Sequence, residues 1–318
     1  MGLLSCLLAF GLVVSTLDAQ SIWWDEGISL HLAGLSWREI IRNRAANIHP
    51  PLYFFLLKVW TGLAGHSPFI GRYFSALAVT LLPAAAYRFL RHRLSNRGAA
   101  TTALLVALAP PFVTYGQETR AYALLPLGVI ALWSCLWPTR QAAKSSGDTG
   151  RLPSLKQGLV LGAVQASLML LHYAGVLAVG VAALGYLYRW LRSEVEHRRN
   201  LLSEWLIGAL ITVLLVLPWG IVVLAEGLQG LGRQAGLANL IDEPVPATYV
   251  AGLLGVFHLY GLPEALGQGY FVWLLSAAGL LLVASIGIAL WRSARRHLVA
   301  GLLALWLVPF LAAPLIWT

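Results

Sequence analysis

The sequence predicts an all-α polytopic membrane protein that crosses the bilayer about nine times and carries amphipathic surface helices in its first outer loop. Three observations predict it. The 318 residues are 58% hydrophobic and only 11% Asp, Glu, Lys and Arg, against roughly 25% charged in an ordinary soluble domain. The apolar residues fall in runs long enough to cross a hydrocarbon core, which takes about 20 helical residues. Thirteen Trp residues suit a chain that meets two bilayer interfaces, where indole rings concentrate. The net charge of +9 does not point to nucleic acid, because the basic residues lie in short runs between apolar segments rather than on one surface beside stacking aromatics.

In chain order the spans are approximately 2–17, 67–88, 98–115, 121–137, 157–172, 174–190, 201–223, 267–290 and 298–316. The first is apolar, with no preceding Lys or Arg and no small-x-small cleavage site before Asp18, so it reads as a span rather than a cleaved signal. The third and fourth meet through a tight turn at Gln117 to Arg120, the fifth and sixth at His172-Tyr173. Residues 247–262 fit either another span or a surface helix. Cys6 and Cys135, alone in apolar stretches, make neither a disulfide framework nor a zinc site and read as buried spectators.

Loop charge sets the orientation. Loops 88–97, 138–156, 189–200 and 291–297 hold fifteen of the 22 Lys and Arg residues and are assigned to the cytoplasm. The opposite set holds nine of the thirteen acidic residues and faces outward. The cytoplasmic loops are too short for a nucleotide-binding domain and contain no Gly-rich phosphate loop. Chemistry driven by cytosolic ATP or a nucleotide sugar is disfavoured.

Four polar clusters lie on the outer side. Trp23-Trp24-Asp25-Glu26 puts two adjacent carboxylates beside interfacial aromatics; on one helix these point about 100° apart, so only one faces a given site. From Ile28 to Arg44 the apolar residues recur at near-helical spacing, predicting one amphipathic helix in the headgroup layer. Asn47 to Phe54 then form a His49-Pro50-Pro51 corner leading into a short helix, about 52–64, that carries Tyr53. The third cluster, Tyr115 to Tyr122, sets Glu118 and Arg120 at a hairpin where charge is expensive unless it pairs or acts. The fourth is His172-Tyr173. Arg72 stands near the outer end of its span, suited either to an anionic headgroup or to a salt bridge with Glu26 or Glu118. Carboxylates, His, Arg and Tyr gathered on one face suit a phosphate-bearing, lipid-tailed substrate.

Trp24-Asp25-Glu26, His49-Pro50-Pro51-Leu52-Tyr53, Arg72 with Ser75, Glu118-Thr119-Arg120-Ala121-Tyr122, His172-Tyr173 and Pro218-Trp219 together resemble bacterial membrane glycosyltransferases of the C-type fold. The closest group is the family 39-like superfamily of protein O-mannosyltransferases and aminoarabinose transferases. The resemblance implies an enzyme of the cell (inner) membrane that takes a sugar from a polyprenyl-phosphate donor and delivers it, with inversion, to a glycolipid, cell-envelope glycan or protein on the periplasmic or extracellular side. It makes Asp25 the base toward the acceptor hydroxyl, with Glu26 and Glu118 as further catalytic carboxylates. Arg72, Arg120 and His49 are implied around the donor phosphate, and Tyr53, Tyr122, His172 and Tyr173 around the substrate. A divalent metal is left open, its candidate ligands being Glu118, His49 and His172.

Aminoarabinose transferases carry an acidic residue and a Lys where this chain has Ile48 and His49, which argues against that sugar. The expected organisation is a catalytic transmembrane module over 1–223 that includes the outer loop 18–66, an outer segment over 224–266, and a C-terminal hairpin over 267–318 of a truncated or minimal member. A transporter or flippase for a lipid-linked or anionic solute is the alternative, and a non-catalytic scaffold a third reading. The nearly uncharged middles of the spans weigh against transport.

Overall fold

A computed structural model describes residues 2–47, 49–137 and 152–230, which fall within the first of two units, Met1–Gly232. The expected spans 267–290 and 298–316, the loop 138–151 and the outer segment beyond Gly230 lie outside the described residues. Every regular element among the described residues is helical: α1 Gly2–Val14, α2 Trp24–Gly34, α3 Trp37–Ala46, α4 Leu52–Ala64, α5 Pro68–Leu90, α6 Asn96–Leu108, α7 Pro110–Gly116, a 3-10 turn Ala121–Ala123, α8 Leu125–Leu136, α9 Leu152–Leu171, α10 Gly175–Arg192 and α11 Val195–Gly230.

Two of these segments are long and apolar enough to cross a membrane, Pro68–Leu90 and His197–Glu226, and a third if α6 and α7 count as one span bent by 51°. The bend falls where Pro110 and Pro111 open α7, since a proline ring cannot follow a continuous helix. The 13-residue α1 rises only about 20 Å at 1.5 Å per residue, short of a roughly 30 Å core. It buries Ala9 and Val13 against α5 and leaves Leu3, Leu4 and Leu7 exposed, the pattern of a helix with one face on protein and one on lipid. Leu202, Leu206, Leu210, Leu214 and Leu217 give α11 a comparable apolar outer face.

Where α9 meets α11, small residues set the distance. A Cβ built on Gly162 would stand 2.5 Å from the Gly208 carbonyl, and one on Gly158 would stand 2.7 Å from Ile207. Gly158 and Gly162, four apart, thus make the kind of groove that lets membrane helices approach closely. Thr212 fastens the contact by donating to Gln165 at 2.9 Å.

The single helix expected over Ile28 to Arg44 is two. Leu35 and Ser36 are extended; the Ser36 hydroxyl accepts from the Glu39 amide at 3.3 Å while Glu39 accepts from the Ser36 amide at 2.8 Å. This Ser-x-x-Glu capping box starts a new helix. Lys58 of α4 donates to the Leu35 carbonyl at 2.6 Å, so the corner is tied to α4. Nor is α3 merely laid on a surface: Ile40 and Ala45 are buried, and α3 packs on α4 and α11. Cys6 and Cys135 are unpaired and only partly buried, not the fully buried spectators the sequence suggests.

Candidate functional site

Successive long helices run in opposite directions, so the start of α5, the turn between α7 and α8, and the turn between α9 and α10 arrive at one end of the bundle. Hydrogen bonds confirm the grouping. Arg72, near the start of α5, reaches α2 and the segment before it, and α2 in turn reaches the α7–α8 turn. The opposite end carries Arg88, Arg91, Arg97, Arg192 and Arg199.

Its centre is the pair Glu26 and Arg72. Arg72 donates from Nε and Nη2 to the two Glu26 carboxylate oxygens at 2.9 and 2.7 Å. Its remaining N–H groups go to the carbonyls of Leu17 (3.0 Å), Gln20 (2.8 Å) and Ser21 (3.1 Å). A guanidinium has five N–H donors, and all five are engaged. The Thr119 amide donates to Glu26 at 3.0 Å. Both side chains are buried, Arg72 at 3% exposure and Glu26 at 1%. Burial alone would raise the Glu26 carboxyl, but the Arg72 hydrogen bonds and charge and the Thr119 amide hold it below its ordinary value. Gly71 makes the approach possible, since a Cβ there would lie 2.8 Å from both Thr119 Oγ1 and Leu30 Cδ2.

This arrangement revises two assignments. Arg72 has no donor to offer a phosphate, and Glu26 has no face toward a substrate; the pair ties three elements together instead. Its neighbour Asp25 points the other way, with 35% of its side chain exposed, and accepts from Arg120 Nη1 at 2.6 Å. The Arg120 guanidinium lies over the Trp23 ring (5.4 Å) and the Tyr122 ring (5.2 Å) and donates to the Tyr122 hydroxyl at 3.3 Å. Tyr122 contacts Tyr115 at 5.1 Å and His172 at 5.2 Å between ring centres. Asp25, Arg120, Tyr122 and His172 therefore form one continuous cluster. Glu118 stands among these charges, its carboxyl pushed up by burial and by the Glu26 charge against the pull of Arg120 and Arg72.

The other expected site residues are placed differently. Tyr53 is buried beside Phe54 and Phe74, its phenol pushed well above the ordinary range by burial, with no hydrogen-bond partner for its hydroxyl among the described residues. It belongs to the packed core under the site. Tyr173 is exposed in the α9–α10 turn. His49 is exposed, and its Nδ1 lies 2.7 Å from the Asn47 carbonyl.

The donors present do not fit the metal considered from the sequence. Among the described residues no three His, Cys, Asp or Glu side chains come together to hold an ion. His172 Nδ1 accepts from the Ala174 amide at 3.1 Å, which leaves the ring proton on Nε2. Freeing Nε2 for a metal would shift that proton onto Nδ1 and forfeit the bond.

One residue was missed. Arg44, on the buried face of α3, is 7% exposed; its Nη2 donates to Asn43 Oδ1 at 2.6 Å, its guanidinium lies 4.7 Å from the centre of the Phe54 ring, and its Nε has no partner. Ile40 and Arg44 are four apart, so helical spacing from Ile40 already puts position 44 on the core side.

Bundle and site define an all-helical integral membrane protein with an ionic cluster gathered at one end of its helices. The model of the dolichyl-phosphate-mannose-protein mannosyltransferase family matches residues 48–221, more than half of the chain, and the chain belongs to that family. It is a membrane glycosyltransferase of the mannosyltransferase type. The matched region includes His49, Arg72, Glu118 to Tyr122, His172 and Trp219; Asp25 lies upstream of it. Comparison with curated proteins finds no match.

Proposed function

We propose that the protein transfers a sugar from a polyprenyl-phosphate donor to an acceptor on the outer face of a bacterial inner membrane, with Asp25 as the base and inversion at the anomeric carbon. One observation carries this reading: of two adjacent carboxylates, Glu26 is locked by Arg72 and Thr119, while Asp25 is partly exposed and, among the described residues, paired with Arg120.

In the resting site the Arg120 guanidinium is paired with the Asp25 carboxylate. A donor phosphate competes for the same guanidinium. When it takes Arg120, the arginine stabilises the negative charge that develops on the leaving phosphate. Asp25, released from its partner, can accept the proton of an acceptor hydroxyl as that oxygen attacks the sugar. Tyr122 and the neutral His172 line the approach, and Glu118, its carboxyl pushed up by burial and by the Glu26 charge, is placed to hydrogen-bond sugar or acceptor.

The test is Asp25→Asn in purified protein supplied with a panel of polyprenyl-phosphate sugars, scoring release of the free carrier phosphate. Loss of release by roughly 100-fold or more, the scale of a missing general base, is expected with normal expression and membrane insertion. Near-normal release from this variant would remove Asp25 from the chemistry.

A further inference from the structure

We propose that Arg44 binds the phosphoryl anion of the lipid-linked donor together with Arg120, taking the part that the family resemblance implies for Arg72. The inference rests on the glycosyl-transfer reading and adds to it a residue outside every motif that suggested that reading.

Charge pairing at this end of the bundle leaves Arg44 over. Arg72 is paired with Glu26 and Arg120 with Asp25, whereas Arg44 pairs with no carboxylate among the described residues. Moving a cation out of water carries a large desolvation cost even after relaxation. What Arg44 receives in return is one hydrogen bond, donated by its Nη2 to the uncharged Asn43 amide oxygen, and one aromatic face, Phe54 at 4.7 Å. A cation–π face and a single hydrogen bond offset only part of that cost. These do not complete the coordination of a fork with five donors, and its Nε remains buried and unpartnered.

Position links this unfinished guanidinium to the cluster. The Arg44 carbonyl accepts from the His49 amide at 2.9 Å, so Arg44 anchors the His-Pro-Pro corner. Phe54, beneath its guanidinium, touches Tyr53 at 5.4 Å. Arg120 is near enough that, after burial, its positive charge is what lowers the Arg44 pKa. Two guanidiniums that repel each other, one of them lacking a counter-charge, suit a ligand bearing more than one anionic oxygen. A phosphate monoester or diester supplies that and matches the planar fork. The same chemistry is offered by inorganic phosphate, so the experiment separates the two.

Binding of polyprenyl phosphate, the matching polyprenol and inorganic phosphate is measured for the full chain in nanodiscs, without turnover. For Arg44→Gln, polyprenyl-phosphate affinity is expected to fall roughly 10- to 100-fold, the worth of a charge-assisted contact, with polyprenol affinity unchanged. Millimolar inorganic phosphate should displace the lipid phosphate from wild type, though it binds more weakly for want of a tail. Inorganic phosphate binding as tightly as the lipid would instead mark a free-anion site and overturn the donor assignment. Unchanged lipid-phosphate binding, or an equal loss for phosphate and alcohol, would also overturn it. Should the Gln variant not insert, Arg44→Lys decides: at least threefold weaker phosphate binding with the alcohol unaffected supports the assignment, and wild-type binding of both refutes it. A chain that binds lipid phosphate through Arg44 yet transfers no sugar would leave this inference standing and refute glycosyl transfer. A chain whose donor KM is indifferent to Arg44 would do the reverse.

Discussion

Glu26→Gln keeps the shape of the side chain, removes its charge and leaves a buried guanidinium without a counter-ion. Arg72 is only 3% exposed, and breaking a buried pair by neutralising one partner costs about 3–5 kcal/mol. The carbonyls of Leu17, Gln20 and Ser21 still accept from Arg72, which places the loss toward the lower end. At roughly 2–4 °C per kcal/mol for a unit of about 200 residues, a loss of about 3 kcal/mol should lower the apparent melting temperature by roughly 6–12 °C. The assay is thermal aggregation of detergent-solubilised protein, read as the soluble fraction on size exclusion after heating. Asp25→Asn is the matched control: its ion pair is partly exposed, such pairs contribute about 0–1 kcal/mol, and a shift below about 4 °C is expected. The reasoning fails if Glu26→Gln melts with wild type, or if Asp25→Asn falls as far as Glu26→Gln.

Two further outcomes follow from the packing and the charges. Burial, and then the positive fields of His49 and Arg120, depress the His172 pKa from 6.5 to about 4. The unfolded chain therefore binds more protons than the folded one between those values, and stability should decline as pH drops through that window; His172→Gln should flatten the decline in a pH series of melting temperatures, and an unaltered slope would assign it to other groups. Gly162→Leu drives a side chain into the Gly208 carbonyl, 2.5 Å from where its Cβ must stand, and overpacking of this kind costs about 1–3 kcal/mol or more. The variant should insert but melt earlier than Gly180→Leu, whose Cβ position has nothing within 4 Å; equal melting of the two would refute a tight α9–α11 contact.

The helical character of the chain was legible because long apolar runs are a coarse signal that tertiary packing rarely overrides. The boundaries of α5, α9 and α10 fall within a few residues of the expected spans. The break between α2 and α3 was written in Ser36-x-x-Glu39, a cap that hydrophobic spacing alone passes over. The division of labour between Asp25 and Glu26 was legible only as the statement that they diverge. Which one turns inward depends on Arg72 and on the Thr119 amide, 46 and 93 residues away, and local pattern holds no information at that range. Arg44 escaped for a related reason: its spacing from Ile40 marks a core position, while its charge makes the same residue look solvated.

The closeness of Asp25 to the Glu26 knot bears on how the first outer segment tolerates change in length. The exposed carboxylate is one peptide bond from an anchor gripped by two other elements, and consecutive helical residues are about 100° apart. One residue inserted between Asp25 and Glu26 would leave the anchor seated and swing a different side chain toward Arg120. The corner at Leu35–Ser36, extended and away from that grip, should absorb the same edit. Homologous chains should accordingly vary in length at the second place and hold constant spacing at the first.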